Sequence, residues 1–114
     1  GAEYVTLTSQ GRLKLDEDAI WDLVLTPRAR WDKKWRLVMF DVPRSHGTAR
    51  DAFREKLEDF GFILYQHSVF IYPHDCIEEV LTVAKWYGID EHVRYIVATE
   101  INDMRRFVRE FDLL

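Results

Sequence analysis

Trp35-Arg36-Leu37-Val38-Met39-Phe40-Asp41-Val42-Pro43 is an apolar run that ends in one carboxylate and is stopped by a proline. Aromatic and β-branched residues crowd it, which predicts a strand. Leu37 and Met39 fall on one face, and Val38, Phe40 and Val42 on the other. A strand with apolar side chains on both faces belongs in the middle of a sheet whose two sides are covered. Pro43 cannot donate a ladder hydrogen bond, so pairing should end there and leave Asp41 near the carboxyl end of the strand.

Downstream, Ser45 or Thr48 can cap a helix through Phe60, with Ala52, Phe53, Leu57 and Phe60 inward and Gly61 as its stop. Phe62–Gln66 and Ser68–Tyr72 read as strands separated by His67. No Gly, Asn or Pro marks a tight turn there, so a hairpin and one kinked strand both fit, and two strands are preferred. Asp75 and Glu78 make a capping-box-like start for a second helix, with Ile77, Val80, Leu81, Ala84 and Tyr87 inward and Gly88 at its end. Val93–Thr99 is a further strand. Asn102 can cap a terminal helix with Met104, Phe107, Val108 and Phe111 on one face.

The resulting order, strand, helix, strand, strand, helix, strand, predicts an α+β fold: a ferredoxin-like βαββαβ sandwich with two helices on one sheet face. The other face needs a cover, for which the terminal helix, an amino-terminal helix or a second subunit would serve. Upstream, Tyr4–Thr8 reads as a short strand with no evident partner, running into a turn at Ser9-Gln10-Gly11. Asp16–Leu25 reads as an amphipathic helix with Ile20, Trp21, Val24 and Leu25 on one face and acids at its amino end. We therefore divide the chain into an extension, residues 1–34, and a ferredoxin-like domain, residues 35–114.

At 114 residues, 47% hydrophobic and 14% aromatic, the chain can fold as one domain without staples. The single cysteine, Cys76, forms no internal disulfide and fits a reducing cytoplasm. No apolar run reaches the roughly 18 residues of a membrane span, so no membrane partner is expected. A formal net charge of −4 argues against bulk electrostatic attraction to nucleic acid, although local clustering can override it. One stretch is basic: Arg28, Arg30, Lys33 and Lys34, continued by Arg36 and interleaved with Trp31 and Trp35. Such a mixture can grip phosphate and stack on bases. The preferred alternative is that the tryptophans pack the connector on the sheet while the cations stay in water.

The opening strand, with Gly61-Phe62 and Gln66-His67-Ser68-Val69-Phe70 after it, resembles the small CRISPR adaptation endonuclease family. That resemblance implies a ferredoxin-like homodimer in which paired first-strand aspartates serve divalent-metal-dependent cleavage, or a scaffold for an integrase. The flanks resemble the phenylacetate-degradation repressor (PaaX-like) family: Leu7-Thr8-Ser9-Gln10-Gly11-Arg12 is similar to the end of a winged-helix wing. Trp31-Asp32-Lys33-Lys34-Trp35-Arg36 is similar to the join before the family's central domain, which Asp75-Cys76 and Trp86-Tyr87-Gly88 also fit. This resemblance implies a dimerisation and relay domain of a repressor, with operator DNA read by a winged helix missing from this chain. It also implies a small-molecule effector at full length, although the effector-linked carboxyl region is absent or reduced to Asn102–Leu114.

Asp41 is the one catalytic candidate. Magnesium demands about six oxygens, so a Mg or Mn site would need a second Asp41 across a twofold axis. The competing reading makes Asp41 an acceptor for backbone N–H groups of the turn after Pro43 or of the following helix. His46 is a proton-shuttle candidate beside Asp41, or else an exposed loop histidine. His67 and His74 lack a matching ligand set. Cys76, at a helix start, would have a lowered thiol pKa if exposed. No cofactor is expected outside the nuclease reading. These sequence features favour the repressor domain, with the endonuclease as the alternative.

Overall fold

The computed structural model describes the backbone of residues 2–5 and all of residues 17–113. Trp35–Phe40 forms the central strand, β2, of a five-stranded antiparallel sheet. In chain order the elements are β1 (Ala2–Val5), α1 (Glu17–Asp22), β2, α2 (Gly47–Phe60), β3 (Ile63–Gln66), β4 (Val69–Tyr72), α3 (Ile77–Trp86), β5 (Val93–Ala98) and α4 (Met104–Glu110). The sheet order is β1-β5-β2-β4-β3. Its last four members have the strand order of a split βαβ fold, so the ferredoxin-like α+β prediction holds. β1 is an addition: it pairs antiparallel with β5, Ala2 opposite Ala98 and Val5 opposite Tyr95. The amino-terminal strand, expected to be unpaired, therefore has a partner, and the wing-like stretch Leu7–Arg12 lies outside the described residues.

The alternation within β2 separates two cores. Val38 and Phe40 point toward α2 and α3, where they meet Phe53, Leu57, Phe70, Val80, Ala84 and Tyr95, all buried. Phe40 stands edge-on to Phe53 at 5.3 Å and stacks with Phe70 at 5.9 Å. Trp35, on the opposite face, joins Ile71, Ala98 and Phe107. Of the three candidate covers, the terminal helix therefore lies on the outer face. α1 packs on the helical side instead, through a fully buried Ile20.

Local chemistry departs from the predictions at the helix starts. His46, Cys76 and Asp103 occupy the N-cap positions of α2, α3 and α4, and none makes a side-chain cap bond. Ser45 instead meets the His46 ring, Oγ to Nδ1 at 2.9 Å, and Asp75 Oδ1 accepts a long bond, 3.4 Å, from the Ile77 N–H. α1 is shorter than predicted, and Trp21 and Val24 are exposed rather than inward, as is Met104 on α4. The helix stops are as predicted. Gly61 sits at φ 106° and Gly88 at φ 71°, where a Cβ is strained. β3 and β4 form a hairpin with His67 at φ 33° in its turn and a register shift between Leu64 and Gln66. A bulge and a left-handed histidine thus replace the absent glycine.

Trp35→Ala is expected to cost about 3–5 kcal/mol, since it removes the ring on which α4 rests, with Val24→Ala within about 0.5 kcal/mol. Gly61→Ala is expected to be destabilising by roughly 1 kcal/mol or more, because its Cβ would also lie 3.2 Å from the Tyr72 ring. Urea unfolding of the three variants measures these differences.

Candidate functional site

Two places on the molecule hold the residues singled out from the sequence: the carboxyl end of β2, with Asp41, and its amino end, where the connector enters. At the carboxyl end the strand is tied on both sides. The Phe40 N–H donates to Ser68 O at 3.2 Å and the Asp41 N–H to His92 O at 3.0 Å. These bonds hold Asp41 at the mouth of a 380 Å³ cleft lined by Met39, Phe40, Asp41, Ser68, Val69, Glu91, His92 and Arg94.

The Asp41 carboxylate is exposed, and among the described residues no hydrogen bond reaches it. The expected backbone bonds from the turn are not made, because the His46 N–H closes that turn on Pro43 O at 2.9 Å. His46 lies beside the cleft, its ring 6.5 Å from that of His92. Glu91 and His92 were missed in the sequence, although the topology contains the signal. β5 runs antiparallel to β2 with Val93 opposite Phe40, so the residues entering β5 must stand beside those leaving β2. Among the described residues no group of three or more His, Cys, Asp or Glu side chains could hold a metal ion. His67 and His74 stay apart from the cleft's lining. Partial burial, with the charges of Arg36 and Arg28, holds the His74 imidazole below its usual range.

Cys76 lies 2% exposed at the start of α3. Its N–H donates to Tyr95 Oη at 3.0 Å, with Sγ 3.7 Å from the same oxygen. Burial pushes the thiol up to about 12. The lowered thiol expected of an exposed cysteine at a helix start does not arise, because the side chain is buried and desolvation raises it.

At the amino end of β2 the tryptophans pack as the preferred reading had it. Trp35 is fully buried, and the Trp31 ring lies 4.9 Å from it. Trp31 Nε1 donates to Lys34 O at 2.9 Å. Arg28, Arg30, Lys33 and Lys34 are exposed. Arg36 is not available as a phosphate contact: it is 5% exposed, with its guanidinium turned inward on its own chain. Nη1 and Nη2 donate to the two oxygens of Asp32 at 2.8 and 2.6 Å, and Nη1 also donates to Lys34 O and Pro73 O. The nucleic-acid candidate set thus reduces to the four exposed cations. Proximity to Asp32, four positions earlier, was the available signal for an ion pair, but burial was not legible.

Residues 28–107 match the family model described as PaaX protein central Cas2-like domain. The match spans most of the chain, from the connector through β5 into α4, and the chain belongs to that family: at this level it is a PaaX-type regulatory domain. No curated protein and no solved structure shows a significant match. No helix among the described residues is long and apolar enough to cross a membrane.

Two solution measurements test these environments. The hydrogen bond from Arg36 holds the Asp32 carboxyl at about 2, below the roughly 3.9 of an unfolded chain. A depressed carboxylate contributes stability that is present above the unfolded value and lost as pH falls through the folded one. The contribution of the pair should therefore fade between about pH 4 and 2, and a wild-type versus Asp32→Asn stability comparison across that interval should converge at the acid end. For Cys76, the expected result is no reaction with a disulfide-exchange reagent at pH 8 in the native protein and one equivalent after denaturation.

Proposed function

We propose that this chain is the dimerisation and relay domain of a PaaX-like transcriptional repressor, whose DNA-reading winged helix lies outside it. The observation that carries the reading is the family match over residues 28–107. The basic connector agrees with it. Four exposed cations stand on a segment anchored by two packed tryptophans and lead directly into the central strand, where they can follow a phosphate backbone while the winged helix reads bases.

The outer sheet face supplies the surface for self-association. α4 covers the half that contains Trp35, Ile71 and Ala98. Beyond it Met39, 39% exposed, stands opposite Val69 and Arg94 on the neighbouring strands. An apolar centre with a cation beside it and carboxylates at Asp41 and Glu91 is complementary to its own twofold copy.

The exposed Asp41 carboxylate at the cleft mouth favours a second reading, a divalent-metal-dependent endonuclease. Two copies of Asp41 brought together across that axis would hold Mg or Mn and orient water toward a phosphodiester.

Light scattering at micromolar concentration should give twice the chain mass for the wild type and a single chain mass for Met39→Asp. A wild-type monomer would remove the dimerisation reading. Incubation with DNA and RNA in Mg²⁺ or Mn²⁺ separates the two functions: cleavage lost in Asp41→Ala supports the nuclease, and no cleavage by the wild type supports the regulator.

A further inference from the structure

We propose that Asp32 and Arg36 form a latch that fixes the connector in one backbone conformation, presents Lys33 and Lys34 to solvent, and ties them to the chain leaving β4 at Pro73. The inference deepens the relay reading and rests on it for its functional consequence. Its structural content stands on the geometry alone.

Asp32 closes a small turn on itself. Oδ1 accepts from the Lys34 N–H at 3.0 Å, and Lys33, between them, is held at φ 64°. A long side chain in that region is disfavoured and persists only where its surroundings enforce it. The enforcing group is Arg36, whose planar fork engages both Asp32 oxygens while Nη1 also reaches Lys34 O. The result is that the lysine-bearing turn and the first residues of β2 form one hydrogen-bonded unit.

Arg36 also connects this unit to the neighbouring strand, where it pairs opposite Tyr72. It reaches Pro73 O at 2.9 Å, just past β4 and three residues before Cys76, whose N–H and thiol meet Tyr95 of β5. A displacement of the chain leaving β4 at Pro73 would therefore move an acceptor of the guanidinium, and the connector with it. A lysine at position 36 would keep the charge but could not engage two carboxylate oxygens and two carbonyls in a fixed plane. Arg36 is thus a positioning residue for the basic segment, not a member of it.

Limited trypsin digestion read by mass spectrometry tests the latch, since Lys33 and Lys34 are themselves cleavage sites. In Asp32→Asn and Arg36→Lys, cleavage after Lys33 and Lys34 should rise about tenfold through local opening. Cleavage after Arg105 and Arg109 on α4 serves as the internal reference and should stay constant. Asp32 is at the surface, so Asp32→Asn provides the decision if Arg36→Lys fails to melt cooperatively. Unchanged cleavage in a cooperatively melting Asp32→Asn variant overturns the proposal.

Binding to a random-sequence DNA duplex adds a functional readout. Asp32→Asn removes a negative charge, so a merely solvated basic segment would bind more tightly, whereas loss of a pre-positioned one weakens binding. Tighter binding by Asp32→Asn counts against the latch. If the wild type binds no duplex, the nucleic-acid role of the connector falls, and the digestion still decides the latch.

Discussion

The central strand carries large side chains on both faces, and the rest of the molecule follows from the need to cover both. Val38 and Phe40 require the layer made by α2 and α3, and Trp35 and Leu37 require a second layer that the βαββαβ unit does not provide. α4 meets that requirement over half the outer face by placing Phe107 and Phe111 each 6.3 Å from the Trp35 ring. The same indole receives Trp31 from the connector. One residue at the start of β2 therefore gathers the connector and the last helix, leaving the Met39 end open.

Much of this was legible because it depends on periodicity. Alternation fixed the two faces of β2, the 3.6-residue stripes gave α2 and α3, and two glycines at positive φ marked their ends. The interior charges were not legible. Lys56 falls on the inward stripe of α2 between Phe53 and Phe60, and a lysine there is ordinarily assigned to solvent. Its ammonium is buried because Trp21 O, at 2.8 Å, and Asp59 Oδ2, at 2.9 Å, satisfy it. The first of these partners is 35 positions away, beyond the reach of local pattern. Arg36 escaped for the same reason, since its Pro73 acceptor is 37 positions away.

The candidate sites show the same division. Asp41 and the basic connector stood out as residues, but their surroundings required topology. Glu91 and His92 share a cleft with Asp41 only because β5 runs beside β2, and Cys76 is buried beside Tyr95, which its own position in the sequence did not reveal. The predicted caps failed in the opposite sense: Ser45 and Thr48 were plausible in isolation, yet the chain leaving Pro43 makes a short 3-10 turn over Arg44–His46, placing His46 at the cap position.

Lys56 has a consequence for behaviour in salt. Its ammonium is 1% exposed, so added ions screen its bond to the Trp21 carbonyl far less than the exposed pairs Arg54–Glu58 and Arg106–Glu110, for which a Debye length of about 8 Å at physiological ionic strength governs the attraction. The attachment of α1 to the domain through the Trp21 carbonyl therefore belongs to the salt-insensitive part of the molecule. Ionic strength high enough to screen the exposed connector lysines would leave the internal geometry of the domain standing.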